Sequence, residues 1–130
     1  MSVRYVAIIA VALASLTALF QLALALGAPW AEMSWGGRFT GVLPNKYRIA
    51  SGVVALLFFP IVIYGLLGAG GLVETGISPV AERAELWVFA GLFALSTLGN
   101  LASQSKRERW WAPVALAIGV SCGYLATQLG

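Results

Sequence analysis

The stretch that decides the fold is YVAIIAVALASLTALFQLALALGAPWA, residues 5–31, which separates Arg4 from Glu32 without one charged side chain. A helix needs roughly 20 predominantly apolar residues to cross the hydrocarbon core of a bilayer. Because an unpaired backbone amide is costly in lipid, an apolar run of this length must be helical there. The stretch therefore predicts a transmembrane helix near the start of the chain.

Three further charge-free stretches follow, between residues 48 and 74, between 85 and 106, and after 109. The whole chain is 60% hydrophobic and only 10% charged, whereas soluble domains carry about a quarter charged residues. The sequence therefore predicts an all-α protein, a single membrane-embedded four-helix bundle. The predicted helices cover roughly residues 6–26, 49–72, 86–104 and 110–128.

The first apolar stretch has an alternative interpretation as a cleaved signal peptide. Arg4 precedes it, and the small-residue pattern Ala23–Ala25 resembles a cleavage site. The stretch is longer than the apolar region of a typical signal peptide, and three more apolar stretches follow it. A retained first span is the favoured interpretation.

Lysine and arginine predict the orientation, because cytoplasmic loops carry an excess of them. Arg4 and Arg83 fall on the side of the two termini, and the other six basic residues fall on the opposite side. We therefore expect both termini outside a cell inner (plasma) membrane. The net charge of +3 then reflects topology, so no nucleic-acid partner is expected. The six are Arg38, Lys46, Arg48, Lys106, Arg107 and Arg109.

A polar connector, residues 27–48, joins the first two predicted helices. Trp30 and Trp35 favour an anchor on the membrane surface, since amphipathic rings prefer the headgroup level. The alternative is a lid that folds back over a pocket and uses Glu32 for binding. As an interfacial residue, Glu32 is instead expected to be solvated or to pair with Arg38 or Lys46.

A few polar residues share helix faces within the predicted spans. Ser96, Asn100 and Gln104 are four apart, so they lie on one face, and Gln21 is expected to approach Asn100 at similar depth. The favoured interpretation is hydrogen bonding between helices. The alternative is a small polar pocket beneath the connector. Its candidate binding residues are Gln21, Glu32, Trp35, Ser96, Asn100 and Gln104.

Small residues recur at four-residue spacing in the last predicted helix, at Ala115, Gly119 and Gly123. Such faces let helices approach closely. They pack either inside one bundle or against another subunit. Besides the lipid bilayer, the expected partners are therefore a second copy or another membrane protein. Pro60 is expected to kink the second helix.

Missing residue types exclude several chemistries. The chain has no histidine, and Cys122 is its only cysteine, so neither a zinc, haem or iron–sulfur site nor a redox pair is expected. The predicted spans carry no ionisable group of the kind that proton-coupled transporters use. We therefore expect no catalytic residue, metal or cofactor, and a non-enzymatic accessory protein that assembles through its small-residue faces. The alternative function is a small transporter or channel for a neutral or weakly polar solute.

The connector carries a family resemblance. It reads LGAPW over residues 26–30, then WGG over 35–37 and GVLP over 41–44, with Arg48 beyond. This pattern resembles a group of small bacterial four-helix membrane proteins with a GAPWG…GG connector after the first span. Ala31 stands where that group usually has a second glycine. The resemblance implies membrane location and four-helix architecture, and no activity.

Overall fold

A computed structural model describes residues 2–129 of the chain. The described part contains helices and turns but no strand. Four helices are long and apolar enough to cross a membrane, which indicates a multi-pass membrane protein. They are α1 (Val3–Ala25), α2 (Asn45–Ala69), α3 (Pro79–Leu101) and α4 (Lys106–Gln128).

The helices begin three to seven residues before the predicted starts. Ser78 caps α3, accepting a hydrogen bond from the backbone N–H of Ala81 at 3.2 Å, with Pro79 in the first helical position. Ser105 caps α4 in the same way and accepts from the N–H of Glu108 at 3.3 Å. The basic run after Ser105 is therefore the first turn of α4 rather than a loop.

The bundle has two distinct ends. The connector end carries residues 27–48, the turn between α3 and α4, and two short 3-10 turns at Ala31–Met33 and Trp35–Gly37. The opposite end carries both termini and the turn between α2 and α3. A closed apolar core fills the half near the termini, where Val62, Leu66 and Leu86 are fully buried.

The α3–α4 hairpin is the closest helix pair in the bundle. A Cβ added at Gly119 would lie 3.2 Å from the Cβ of Phe93, and one at Gly123 would lie 3.5 Å from the Trp87 ring. Ala115 is buried as well. The small-residue face of α4 therefore packs within this chain, against α3.

Pro60 is accompanied by a change of helix type. The five residues Val54–Phe58 form a π-helical turn, in which the N–H of Phe59 donates to the carbonyl of Val54. Proline lacks an N–H and crowds the carbonyl four residues earlier, and a wider turn relieves that crowding. Val54 and Phe58 both line the cavity described below.

Large apolar side chains cover the outside of the helices. Leu19, Leu56, Leu95 and Val120 are all more than half exposed. Contiguous apolar surface on this scale is unusual for a soluble monomer, whereas lipid accommodates it. The outer surface therefore suits helices that are long and apolar enough to cross a membrane.

Candidate functional site

The connector folds across its end of the bundle and closes onto the turn between α3 and α4. Gly36 and Gly37 adopt φ values of +81° and +71°, which residues with a Cβ rarely adopt. A Cβ at Gly37 would lie only 2.7 Å from the Cβ of Ser105 and 2.9 Å from its backbone nitrogen. The glycine pair therefore serves both a tight bend and a close backbone approach.

The two connector tryptophans have different surroundings. Trp35 Nε1 donates a hydrogen bond to Ser51 Oγ at 3.0 Å, and Ser51 is completely buried in α2. The Trp35 ring also packs edge-on against Tyr47. Trp30 stacks on Phe20 but remains 45% exposed. Trp30 thus has the exposure of an anchor, while Trp35 is tied to the helices as part of a lid.

Beneath this lid lies a cavity of about 440 Å³, which we call the connector cavity. Its volume falls in the range of about 300–1,000 Å³ that is usual for small-molecule sites. Met33, Ser34 and Trp35 of the connector form part of its lining, and the helices supply the rest. The aromatic lining residues are Phe20, Trp35, Phe58, Phe59, Phe93 and Trp111.

The connector cavity reaches the surface between α2 and α3. These helices meet on the side of the termini, where Gly65 adjoins Glu85 and Phe89. Toward the connector, the first half of α2 packs on α1 instead. Leu92 and Ser96 of α3 line the cavity and are nevertheless exposed. We call this opening in the side of the bundle the lateral gap.

Three polar atoms in the lining are buried without a hydrogen-bond partner in the described part of the chain. They are Gln21 Oε1, Glu108 Oε1 and Trp111 Nε1. Leaving such an atom unsatisfied typically costs about 1–3 kcal/mol. Their three residues line one cavity, which makes it the candidate binding site.

Glu108 is the least exposed charged residue of the described chain, at 7%. Ser105 and Glu108 have the spacing of a capping box, in which the glutamate would accept from the N–H of Ser105. Here Ser103 Oγ accepts from that N–H at 3.1 Å, and Glu108 Oε2 instead accepts from the N–H of Gly36 at 3.4 Å. The carboxylate is therefore directed toward the connector and the cavity.

Four of the six predicted binding residues line the connector cavity, namely Gln21, Trp35, Ser96 and Asn100. Gln21 and Asn100 share this lining, but no hydrogen bond joins them within the described residues. Glu32 and Gln104 lie apart from it, in a shallower surface groove that also contains Lys106 and Arg107.

The partner of Glu32 differs from the expected one. Its Oε1 lies 2.8 Å from Arg107 Nη1, and neither Arg38 nor Lys46 pairs with it. Arg38 instead donates to the carbonyl of Trp35 and lies beside the Tyr47 ring. Both members of the Glu32–Arg107 pair are well exposed, so the pair contributes at most about 1 kcal/mol.

Sequence reasoning missed Glu108 and Trp111. The sequence predicts that the last span begins at Trp110, which leaves Glu108 outside it. In the structure α4 begins at Lys106, and Glu108 is part of the cavity wall. Ser105 followed three residues later by Glu108 is the signal that would have extended the helix.

Within the described residues, no group of three histidine, cysteine, aspartate or glutamate side chains could hold a metal ion. Cys122 is fully buried in the apolar core, away from the connector cavity. Comparison of the chain with protein-family models, curated proteins and solved structures finds no match.

Proposed function

We propose that this protein is a non-enzymatic carrier that binds a small, largely apolar solute with hydrogen-bonding groups in the connector cavity and moves it across the membrane. One observation carries the proposal: three unpartnered buried polar atoms belong to residues of one aromatic-lined cavity beneath a fitted lid. A few polar groups in an apolar pocket are typical of small-molecule sites.

The proposal places the protein in the cell inner (plasma) membrane, with the connector on the cytoplasmic side and both termini outside. The distribution of lysine and arginine supports this orientation. In addition, Arg48 Nε donates to the carbonyl of Ala25 at the end of α1, so one of these cations also stabilises a helix end.

Two of the hydroxyl groups in the lining favour a carrier over an enzyme. Thr17 Oγ1 donates to the carbonyl of Leu13, and Ser34 Oγ donates to that of Ala31. Neither hydroxyl is paired with a basic side chain that would activate it as a nucleophile. The chain also has no histidine to act as such a base.

The function favoured from the sequence, an accessory protein that assembles through the small-residue face of α4, gains no support from Gly119 and Gly123. The space above both is filled by Phe93 and Trp87 of the same chain. Association with a second copy or with another membrane protein through a different surface stays a prediction.

Filling the connector cavity should abolish solute binding. Val114 lines the cavity, whereas Val120 of the same helix is 62% exposed on the outer surface. We expect Val114→Phe to eliminate, and Val120→Phe to preserve, the change in tryptophan fluorescence on solute binding, since Trp35 and Trp111 line the cavity. A panel of small alcohols, amides, amines and carboxylates is titrated into each protein in lipid nanodiscs.

Solutes that bind are then tested for flux into proteoliposomes. Flux with the wild type and with Val120→Phe, but not with Val114→Phe, is the expected result. Equal binding by both variants, or no response of the wild type to any class of solute, would refute the proposal.

A further inference from the structure

The feature that identifies the ligand is the carboxylate of Glu108. It is buried, one of its oxygens has no hydrogen-bond partner, and the other accepts a single long bond. We infer that the connector cavity binds a lipophilic ammonium compound, with its head group at Glu108 and its apolar tail toward the lateral gap. This inference rests on the proposed binding function and names the class of solute.

No cation of the described chain neutralises Glu108. The only ion pair among these residues joins Arg107 to Glu32. Arg109 Nε donates to the carbonyl of Ser103 at 2.9 Å, and Arg38 Nε to that of Trp35 at 3.2 Å. A buried carboxylate is costly unless a cation or hydrogen bonds compensate it. The first turn of α4, where Glu108 lies, supplies part of that compensation through the helix dipole. We assign the remaining positive charge to the ligand.

Aromatic rings lie close to the carboxylate. Trp35 immediately precedes Gly36, whose N–H binds Glu108, and Trp111 follows Glu108 by one helical turn. The Phe20 ring lies 4.6 Å from that of Trp111. Ring faces attract ammonium groups, and the attraction is stronger where water is excluded. This end of the cavity thus combines a carboxylate with aromatic walls, a combination that recognises organic cations.

The two remaining unpartnered atoms indicate which other hydrogen-bonding groups the head group of the ligand carries. Gln21 Oε1 is an acceptor and suits a second N–H of the ammonium. Trp111 Nε1 is only a donor, so it suits an oxygen near the ammonium nitrogen. A protonated amine with a neighbouring hydroxyl carries the donors and the acceptor that these three atoms lack.

The lateral gap accounts for the apolar tail. Val54 and Phe58 of α2 and Leu92 of α3 line the cavity there, and Leu92 is exposed on the outer surface of the bundle. If the helices lie in lipid, this opening faces acyl chains rather than water. An apolar tail in the gap would contact apolar side chains on one side and lipid on the other. A ligand dissolved in the membrane would then enter the cavity without crossing the lid.

Dodecylamine and dodecanol provide the test, because they share a tail and differ in the charge of the head group. Both are titrated at neutral pH into nanodiscs of phosphatidylcholine, and empty nanodiscs correct for partitioning. We expect wild-type protein to bind the amine about tenfold or more tighter than the alcohol, equivalent to about 1.4 kcal/mol. In Glu108→Gln, the affinity for the amine should fall to that for the alcohol.

Glu32→Gln is the matched control for loss of a surface charge, and it should keep the wild-type preference for the amine. Unchanged alcohol binding by Glu108→Gln shows that this variant is folded. Should it fail to fold, the ratio of the two affinities in the wild type decides the question.

Equal affinity of the wild type for amine and alcohol would overturn the inference, since a head-group site built on a carboxylate must distinguish a cation from a neutral hydroxyl. The proposed binding function would survive that result if Val114→Phe still abolished binding of both. If neither compound binds, the inference is overturned. Binding of the wider solute panel would then test the proposed function separately.

Entry through the lateral gap has a kinetic signature. Ser96→Trp narrows the gap, whereas Leu95→Trp alters an adjacent exposed residue outside the cavity lining. Stopped-flow fluorescence should show slower association and slower dissociation of dodecylamine for Ser96→Trp, with an unchanged ratio of the two rates. Rates equal to those of Leu95→Trp would exclude this route.

Discussion

Individual glycines determine how closely the connector lid fits. Gly37 and Gly41 both have positive φ, at +71° and +72°, but only Gly37 is in close contact with another segment. A Cβ at Gly37 would collide with Ser105, while one at Gly41 would meet nothing within 4 Å. Comparing substitutions at Gly37 and Gly41 therefore separates the effect of backbone conformation from that of packing.

Gly37→Ala should destabilise the protein more than Gly41→Ala. A left-handed backbone costs a residue with a Cβ about 1–2 kcal/mol, and this cost is common to both variants. Overlap with Ser105 adds about 1–3 kcal/mol at Gly37 alone. Unfolding of the two variants in the same detergent measures the difference. Equal losses of stability would contradict the close packing between the connector and the α3–α4 turn.

At the scale of elements, the α3–α4 hairpin depends on Gly119. Gly119→Leu would overpack the contact with Phe93 and should lower the free energy of unfolding by about 1–3 kcal/mol. Gly99→Leu is the matched control, because nothing lies within 4 Å of that exposed glycine of α3.

Light scattering of the same samples distinguishes packing within the chain from assembly between chains. We expect Gly119→Leu to lose stability while the oligomeric mass stays unchanged. A variant with full stability and a smaller oligomeric mass would instead favour the subunit interface that the sequence left open.

The existence of four helices followed from the gaps between charged residues, because a helix needs about 20 predominantly apolar residues to cross the hydrocarbon core. The start of α3 lies seven residues before the predicted span, although Ser78 and Pro79 favour a helix start locally. The hydrogen bonds between distant segments could not be predicted from the sequence. The hydrogen bond from Trp35 to Ser51, and that from Gly36 to Glu108, both depend on the path of the connector.

At the scale of the whole molecule, the proposed orientation has a direct test. Thr40 in the connector and Glu74 at the opposite end are both exposed, and the native Cys122 is fully buried. In intact cells, a membrane-impermeant maleimide should label Glu74→Cys at once, and Thr40→Cys only after permeabilisation. The reverse pattern would invert the orientation and put the connector outside.

The π-helical turn Val54–Phe58 has a consequence for residues that it does not contact. Each residue of an α-helix advances the chain by about 100° around the axis, so one additional residue in a turn rotates everything before it by that angle. Ser51 precedes the turn, and its azimuth places its hydroxyl beneath Trp35. The wide turn beside Pro60 thus sets the rotation of the part of α2 that precedes it. The contact between Trp35 of the lid and Ser51 therefore depends on a proline nine positions further along the chain.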